Sequence, residues 1–226
     1  MNINGLQIEE RADPASPAYR RRWYFVWRKG VIPWLTRERK SPYRVAFEHR
    51  YSWVGQYCRG KDVLDVPCGM GWGTSLLKGC RSLVGVDRDA ESINEARHRY
   101  GRRARFLQGD MSRLEFPDCS FDIVACLEGI EHVSIEVGAK FLREAYRILR
   151  PGGQLFVTSP HPKTGGHSGN PFHVHEYHTE ELRAAIEEHF HVEESSADEV
   201  ESLVVTFFRA RKRTVSLASG RSADEL

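Results

Sequence analysis

VLDVPCGMGWGTSLL, residues 63–77, runs from a short apolar stretch into Gly69, Gly71 and Gly73 and then into apolar residues again. Such a segment reads as a strand over VLDV, a glycine-rich turn and a helix near Thr74–Cys80. Glycines at that place let backbone N–H groups approach a ligand at the carboxyl edge of a parallel sheet. The spacing is not that of a dinucleotide loop, because G-x-G-x-x-G would need a glycine where Thr74 stands. Asp65, at the end of the strand, points the same way: a carboxylate there repels a pyrophosphate and attracts an ammonium or a nearby sulfonium.

Outward from this segment, short β-rich runs alternate with helical patterns. SLVGV, ARFLQ, FDIVACL and QLFVTS read as strands, and Ala90–Tyr100 and Gly138–Leu149 as helices. This alternation predicts a doubly wound α/β fold, a mostly parallel sheet with helices on both faces. In the second helix Phe141, Leu142, Ala145, Ile148 and Leu149 fall on one stripe of a 3.6-residue period, and Arg150-Pro151-Gly152-Gly153 stops it. The polar, histidine-rich stretch HPKTGGHSGNPFHVHEYH follows, then a helix with Thr179 as its expected N-cap. His189–Glu194 and Leu203–Arg209 read as a C-terminal antiparallel hairpin completing seven strands.

The 226 residues, 40% of them apolar, suffice for one such domain with appended pieces, expected over 51–210. Residues 1–50 read as a basic and aromatic extension, a lid or interface, and 211–226 as a disordered tail. A formal charge of +2 argues against a dedicated nucleic-acid protein. The five cysteines are scattered without a C-x-x-C pair, which fits reduced thiols rather than a disulfide framework or a thiolate zinc site. The amino terminus is polar and acidic and no run reaches 18 apolar residues, so a cytoplasmic protein is expected.

Two further acids follow Asp65 in order. Asp87 closes the next strand, where such folds use a carboxylate to accept hydrogen bonds from ribose hydroxyls, and Asp110 in FLQGDM closes the third, where it could accept from an adenine amino group. One ligand with an amine, a diol and an adenine satisfies all three.

Residues 50–185 resemble class I S-adenosylmethionine-dependent methyltransferases, closest to the group holding ubiquinone-type and many sugar and natural-product enzymes. The stretches carrying the likeness are VLDVPCGMGWG, VGVDRD, GDM, FDIVACLEGIEHV, ILRPGGQLFVTSP and NPFHVHEYHTEEL. The resemblance implies a Rossmann-like fold and S-adenosyl-L-methionine as cofactor. Asp65 with Gly69, Gly71 and Gly73 would hold its methionine part, Asp87 and Arg88 the ribose side, Asp110 and Met111 the adenine, and Leu127 the far wall. Arg50-Tyr51 resembles a pair that contacts the cofactor carboxylate in relatives. Pro67 departs from the pattern, standing where the family has glycine and lacking an N–H.

Methyl transfer from a sulfonium is an in-line displacement, so alignment does most of the work and a base helps when the acceptor is a hydroxyl. Glu131 and His132, just beyond the fourth strand, are the expected catalytic residues, with His132 as the base. No metal is expected. Were one bound, Glu128, Glu131, His132 and His173 are the candidate ligands, in a pattern similar to that of small-RNA 2′-O-methyltransferases. The expected partner is a small-molecule acceptor, a sugar or glycan precursor among them, O-methylated. An RNA ribose methyltransferase and a non-catalytic cofactor-binding subunit are the rival readings. No DNA partner is expected. Residues 20–40, with Trp23, Phe25, Trp27 and Trp34 among arginines, could touch a membrane surface or a second subunit in a homodimer.

Overall fold

The computed structural model describes residues 42–200 and 203–213. The aromatic-basic segment around Trp23 and Trp27, with the lid, subunit and membrane readings attached to it, and the tail from residue 214 lie outside the described residues.

Helix α1 (Pro42–Gly55) leads into strand β1 (Asp62–Asp65), followed by β2 (Ser82–Asp87), α2 (Ala90–Tyr100), β3 (Arg105–Gln108) and β4 (Phe121–Leu127). Then come α3 (Ile135–Ile148), β5 (Leu149–Pro162), α4 (Thr179–Glu187), β6 (Phe190–Val200) and β7 (Leu203–Lys212). The seven strands form one sheet in the order β3-β2-β1-β4-β5-β7-β6. β1 to β5 pair in parallel, and β7 lies antiparallel between β5 and β6. The doubly wound sheet with a C-terminal hairpin is thus the observed fold.

Strand alternation sorts the core into two layers, since successive side chains leave opposite faces. Leu64, Val124, Leu155 and Val157 pack with Phe141, Leu142 and Ile148 of α3 and Leu182 and Ile186 of α4. Val63, Ile123, Ala125 and Phe156 pack on the other face with Tyr51 and Val54 of α1 and Ile93 and Ala96 of α2. Asp89 caps α2 by accepting from Ser92 N at 2.8 Å, and Ser134 caps α3 from Val137 N at 3.4 Å.

Three local expectations are corrected. In place of a helix over Thr74–Cys80 there is a three-residue 3-10 turn, Thr74–Leu76, because Leu77 is extended and Gly79 at φ 75° turns the chain back toward β2. The N-cap of α4 is His178, not Thr179, whose hydroxyl is engaged with His161 Nε2 at 3.1 Å. β5 begins at Leu149 rather than Gln154: Leu149 pairs with Phe121, and the register shift before Ile123 absorbs the Pro-Gly-Gly stretch. α1 also runs unbroken across residue 50, and β7 reaches past residue 210.

After β1 the chain turns toward β2 and after β4 toward β5, on opposite sides of the β1–β4 pair. Such a reversal opens a crevice at the carboxyl ends of the strands, where ligands of this architecture bind.

Candidate active site

Asp65, fully buried at the end of β1, accepts from Thr74 Oγ1 at 2.6 Å and from the Tyr51 hydroxyl at 3.2 Å. Burial pushes its carboxyl up to about 7, partly offset by those two donors and reinforced by the charge of Asp87. The glycine loop wraps the same cluster. A Cβ on Gly73 would lie 2.1 Å from the Tyr51 ring, and one on Gly71, at φ 78°, would meet the Phe106 ring at 2.7 Å and Ala96 at 2.8 Å. These two glycines are therefore required by packing as well as by approach to a ligand. Phe47 of α1 stacks on Trp72 of the loop, centroids 4.7 Å apart.

Asp87, buried at the end of β2, accepts from Gly69 N and Asp89 N, both at 2.9 Å, and so fixes the loop against the start of α2. Asp110 is exposed beyond β3, where the Ser112 N–H, at 2.7 Å, and the Ser112 hydroxyl hold its carboxyl below the usual range. Arg88 is exposed, and Met111 and Leu127 are buried apolar wall. The three acids stand in order at the ends of three adjacent strands, as read from the sequence.

The tip of β4 is unusual. Glu128 takes φ 54°, a left-handed conformation uncommon outside glycine, and its N–H donates to the Thr158 carbonyl at 3.1 Å. Its carboxylate pairs with Arg50 at 3.0 Å. Two other atoms of that pair, Arg50 Nε and Glu128 Oε1, are buried without a hydrogen-bond partner. Gly129 follows because Pro67 lies against it; a Cβ there would meet the Pro67 ring at 2.2 Å. Pro67 is thus a packing element of the β4 tip.

Glu131, His132 and His173 come together, each offering one donor atom within 4.8 Å of the others. Main-chain bonds bring the histidine-rich loop there: Val174 N and His175 N donate to the Glu131 carbonyl at 2.8 and 3.1 Å. His132 Nδ1 meets the Phe172 carbonyl at 3.0 Å, and His173 Nδ1 meets the Glu176 carboxylate. Burial raises the Glu131 carboxyl well above its ordinary value, with the Glu128 charge adding to it. Burial works the same way on Glu176, yet Ser168 and His173 hold it low.

Of the four possible metal ligands, the structure groups three and places Glu128 with Arg50 instead. The other loop histidines go elsewhere: His161 to Thr179, His167 to the His173 carbonyl, and His175 to Glu181 at 2.7 Å. Tyr51, expected at the cofactor carboxylate, has its hydroxyl on Asp65. Sequence reasoning missed Thr74 as a partner of Asp65, Phe47 as a support of the loop, and Glu176 as the partner of His173. Only the Phe47–Tyr51 spacing of four, one helical turn, held a signal.

Residues 64–157 match the family described as a methyltransferase domain. A probable S-adenosylmethionine-dependent methyltransferase of Mycolicibacterium smegmatis is 34% identical over 142 residues, covering 61% of this chain and 54% of that protein. A fatty-acid O-methyltransferase of the same organism is 38% identical over 108 residues, 46% of this chain and 39% of the relative. A ubiquinone/menaquinone biosynthesis C-methyltransferase of Hahella chejuensis is 37% identical over 110 residues, 43% of this chain and 42% of the relative. The chain spans about half the length of the first of these relatives. Among solved structures, a protein of Pyrococcus horikoshii superposes with TM-score 0.65 at 21% identity, over 84% of this chain and 99% of that one. N-methyltransferase NodS of Bradyrhizobium japonicum gives 0.62 at 17%, over 76% and 96%. At those identities the likeness is one of fold.

Proposed function

We propose, on the premise that residues 64–157 are a class I S-adenosylmethionine-dependent methyltransferase domain, that this chain methylates a hydroxyl of a small acceptor with an apolar body. The observation that carries the reading is the row of Asp65, Asp87 and Asp110 at the carboxyl ends of β1, β2 and beyond β3, beside a partly buried ion pair with two orphaned polar atoms. The donor set fits the cofactor. Its amino-acid end carries a carboxylate and an ammonium, which complement Arg50 Nε and Glu128 Oε1; unpartnered, each of those atoms costs about 1–3 kcal/mol. Asp87 and Asp110 suit a ribose diol and an adenine amino group. Asp65, sealed by Tyr51 and Thr74, supports the loop rather than touching the ammonium.

The cofactor supplies a sulfonium-bound methyl, displaced in line. This chain's residues align the acceptor and assist the loss of its proton. Glu131, His132 and His173 stand directly beyond the β4 tip, the place where an acceptor oxygen would meet the methyl. The acceptor's body is argued from the surface beside them. Ile135 and Val174, 49% and 61% exposed, are the large exposed hydrophobics among the described residues, and both flank the cluster. Val174 is pinned through its N–H to Glu131, and Ile135 opens α3 three residues after His132. Relatives named for fatty-acid and quinone-type substrates agree with an amphiphilic acceptor.

The test uses methyl-labelled S-adenosylmethionine with hydroxylated amphiphiles and, in parallel, free sugars. Label is expected in the amphiphiles. His132→Ala should lower turnover by roughly 10²–10⁴ while S-adenosylhomocysteine affinity stays within a few-fold by calorimetry. Turnover near wild type in that variant would remove the cluster from the reaction, and label in sugars alone would overturn the acceptor class.

A further inference from the structure

The Glu131–His132–His173 cluster is built like a ligand set. A carbonyl oxygen only accepts, so the Nδ1 facing Phe172 O carries the hydrogen and His132 keeps its lone pair on Nε2. The Glu176 carboxylate, itself held by Ser168 N at 2.7 Å, fixes His173 in the same tautomer. A carboxylate or carbonyl behind the distal nitrogen of each imidazole is the support that metal-binding histidines use to aim and enrich the coordinating nitrogen. Asn170 Nδ2 lies 3.0 Å from His173 Nε2, occupying the lone-pair direction from which an ion would displace it.

Glu131 completes the set. Its side chain is 1% exposed, and its Oε2 has no hydrogen-bond partner. A carboxyl group so placed is a poor choice for packing alone, since a buried polar oxygen without a partner is costly. Two imidazoles with rings 5.1 Å apart and one carboxylate, all donor atoms within 4.8 Å, provide three protein ligands on one side.

We propose that Glu131, His132 and His173 bind one divalent first-row transition ion of the Zn²⁺ or Co²⁺ class, with Glu176 as a positioning residue and Glu128 outside the set. The donors decide the class, because imidazole nitrogen with a single carboxylate favours these ions over Mg²⁺ or Ca²⁺, which prefer all-oxygen sites. Three ligands leave positions open. In the methyl-transfer reading, on which this role rests, an acceptor oxygen takes an open position and its O–H is acidified. Its proton passes to solvent, the oxygen bonds to the methyl carbon, and the C–S pair leaves with sulfur. His132 then serves as a ligand, and its Nε2 lone pair is not the base.

The experiment titrates Co²⁺ into the tag-free, chelator-treated full chain and reads the visible d–d absorption, with Zn²⁺ calorimetry in parallel. One ion per chain is expected. His173→Ala and Glu131→Gln should each weaken binding at least tenfold, and Glu176→Gln by roughly 10–100-fold with stoichiometry kept. His175→Ala, outside the cluster, should bind as wild type. Circular dichroism separates loss of ligands from loss of fold; were Glu131→Gln unfolded, the less buried His173 still decides. Absence of one-to-one binding, or equal affinity in folded His173→Ala, overturns the proposal. S-adenosylhomocysteine calorimetry on the same samples keeps that failure distinct from failure of the methyltransferase reading.

Discussion

At the scale of the residue, position within the fold decides what each acid does. Asp65, Asp87 and Asp110 look alike in the sequence, each closing a strand, yet one is sealed by two hydroxyls, one ties backbone N–H groups together and one is exposed. Asp65 makes stability depend on pH. Its folded value is raised to about 7, so the neutral form is favoured in the fold; that stability is complete below the unfolded value near 4 and is lost as pH rises through 7. Asp65→Asn, whose amide oxygen still accepts from Thr74 and Tyr51, should gain on wild type by up to about 1.4 kcal/mol per pH unit across that window. Denaturant midpoints at pH 5, 6 and 8 check this, and a difference constant with pH would refute it. Asp87→Ala removes the acceptor of Gly69 N as well as the expected ribose contact. S-adenosylhomocysteine binding should weaken by about 1.5–3 kcal/mol, and calorimetry showing wild-type affinity would take Asp87 out of the site.

Among the elements, α1 joins the glycine loop to the body of the domain. Phe47 stacks on Trp72, Tyr51 fills the space under Gly73, and Arg50 reaches Glu128, all from one helix. Aromatic pairs of this kind are worth about 0.5–1.5 kcal/mol beyond burial, so Phe47→Ala should raise the Kd for S-adenosylhomocysteine roughly two- to twelvefold. An unchanged Kd would show that α1 does not support the loop. The strands, the glycine turn after β1 and the amphipathic stripe of α3 were legible because period and punctuation are local properties. The short turn at Thr74–Leu76 was not, because the apolar run Leu76-Leu77 reads equally well as helix and as extended chain. Nor was the role of α1, since Phe47 meets Trp72 only after β1 has been placed between them.

For the molecule as a whole, binding at the proposed site should be linked to folding, because the crevice lies at the reversal of a single sheet with core on both faces. S-adenosylhomocysteine at about 100 times its Kd should stabilise the chain by about 2.7 kcal/mol, a rise in Tm of roughly 5–11 °C for a domain of this size. No shift at saturation would contradict a preformed site. The sequence by itself determined the parallel sheet and the order of its acids, because hydrophobic period, glycine placement and charge are written along the chain. The tertiary structure alone decided which groups meet. It paired Glu128 with Arg50 across 78 residues and brought His173 to Glu131 and His132 across about 40, through main-chain bonds to the Glu131 carbonyl. Contacts of that separation are set by strand register and loop closure, and no local pattern records them.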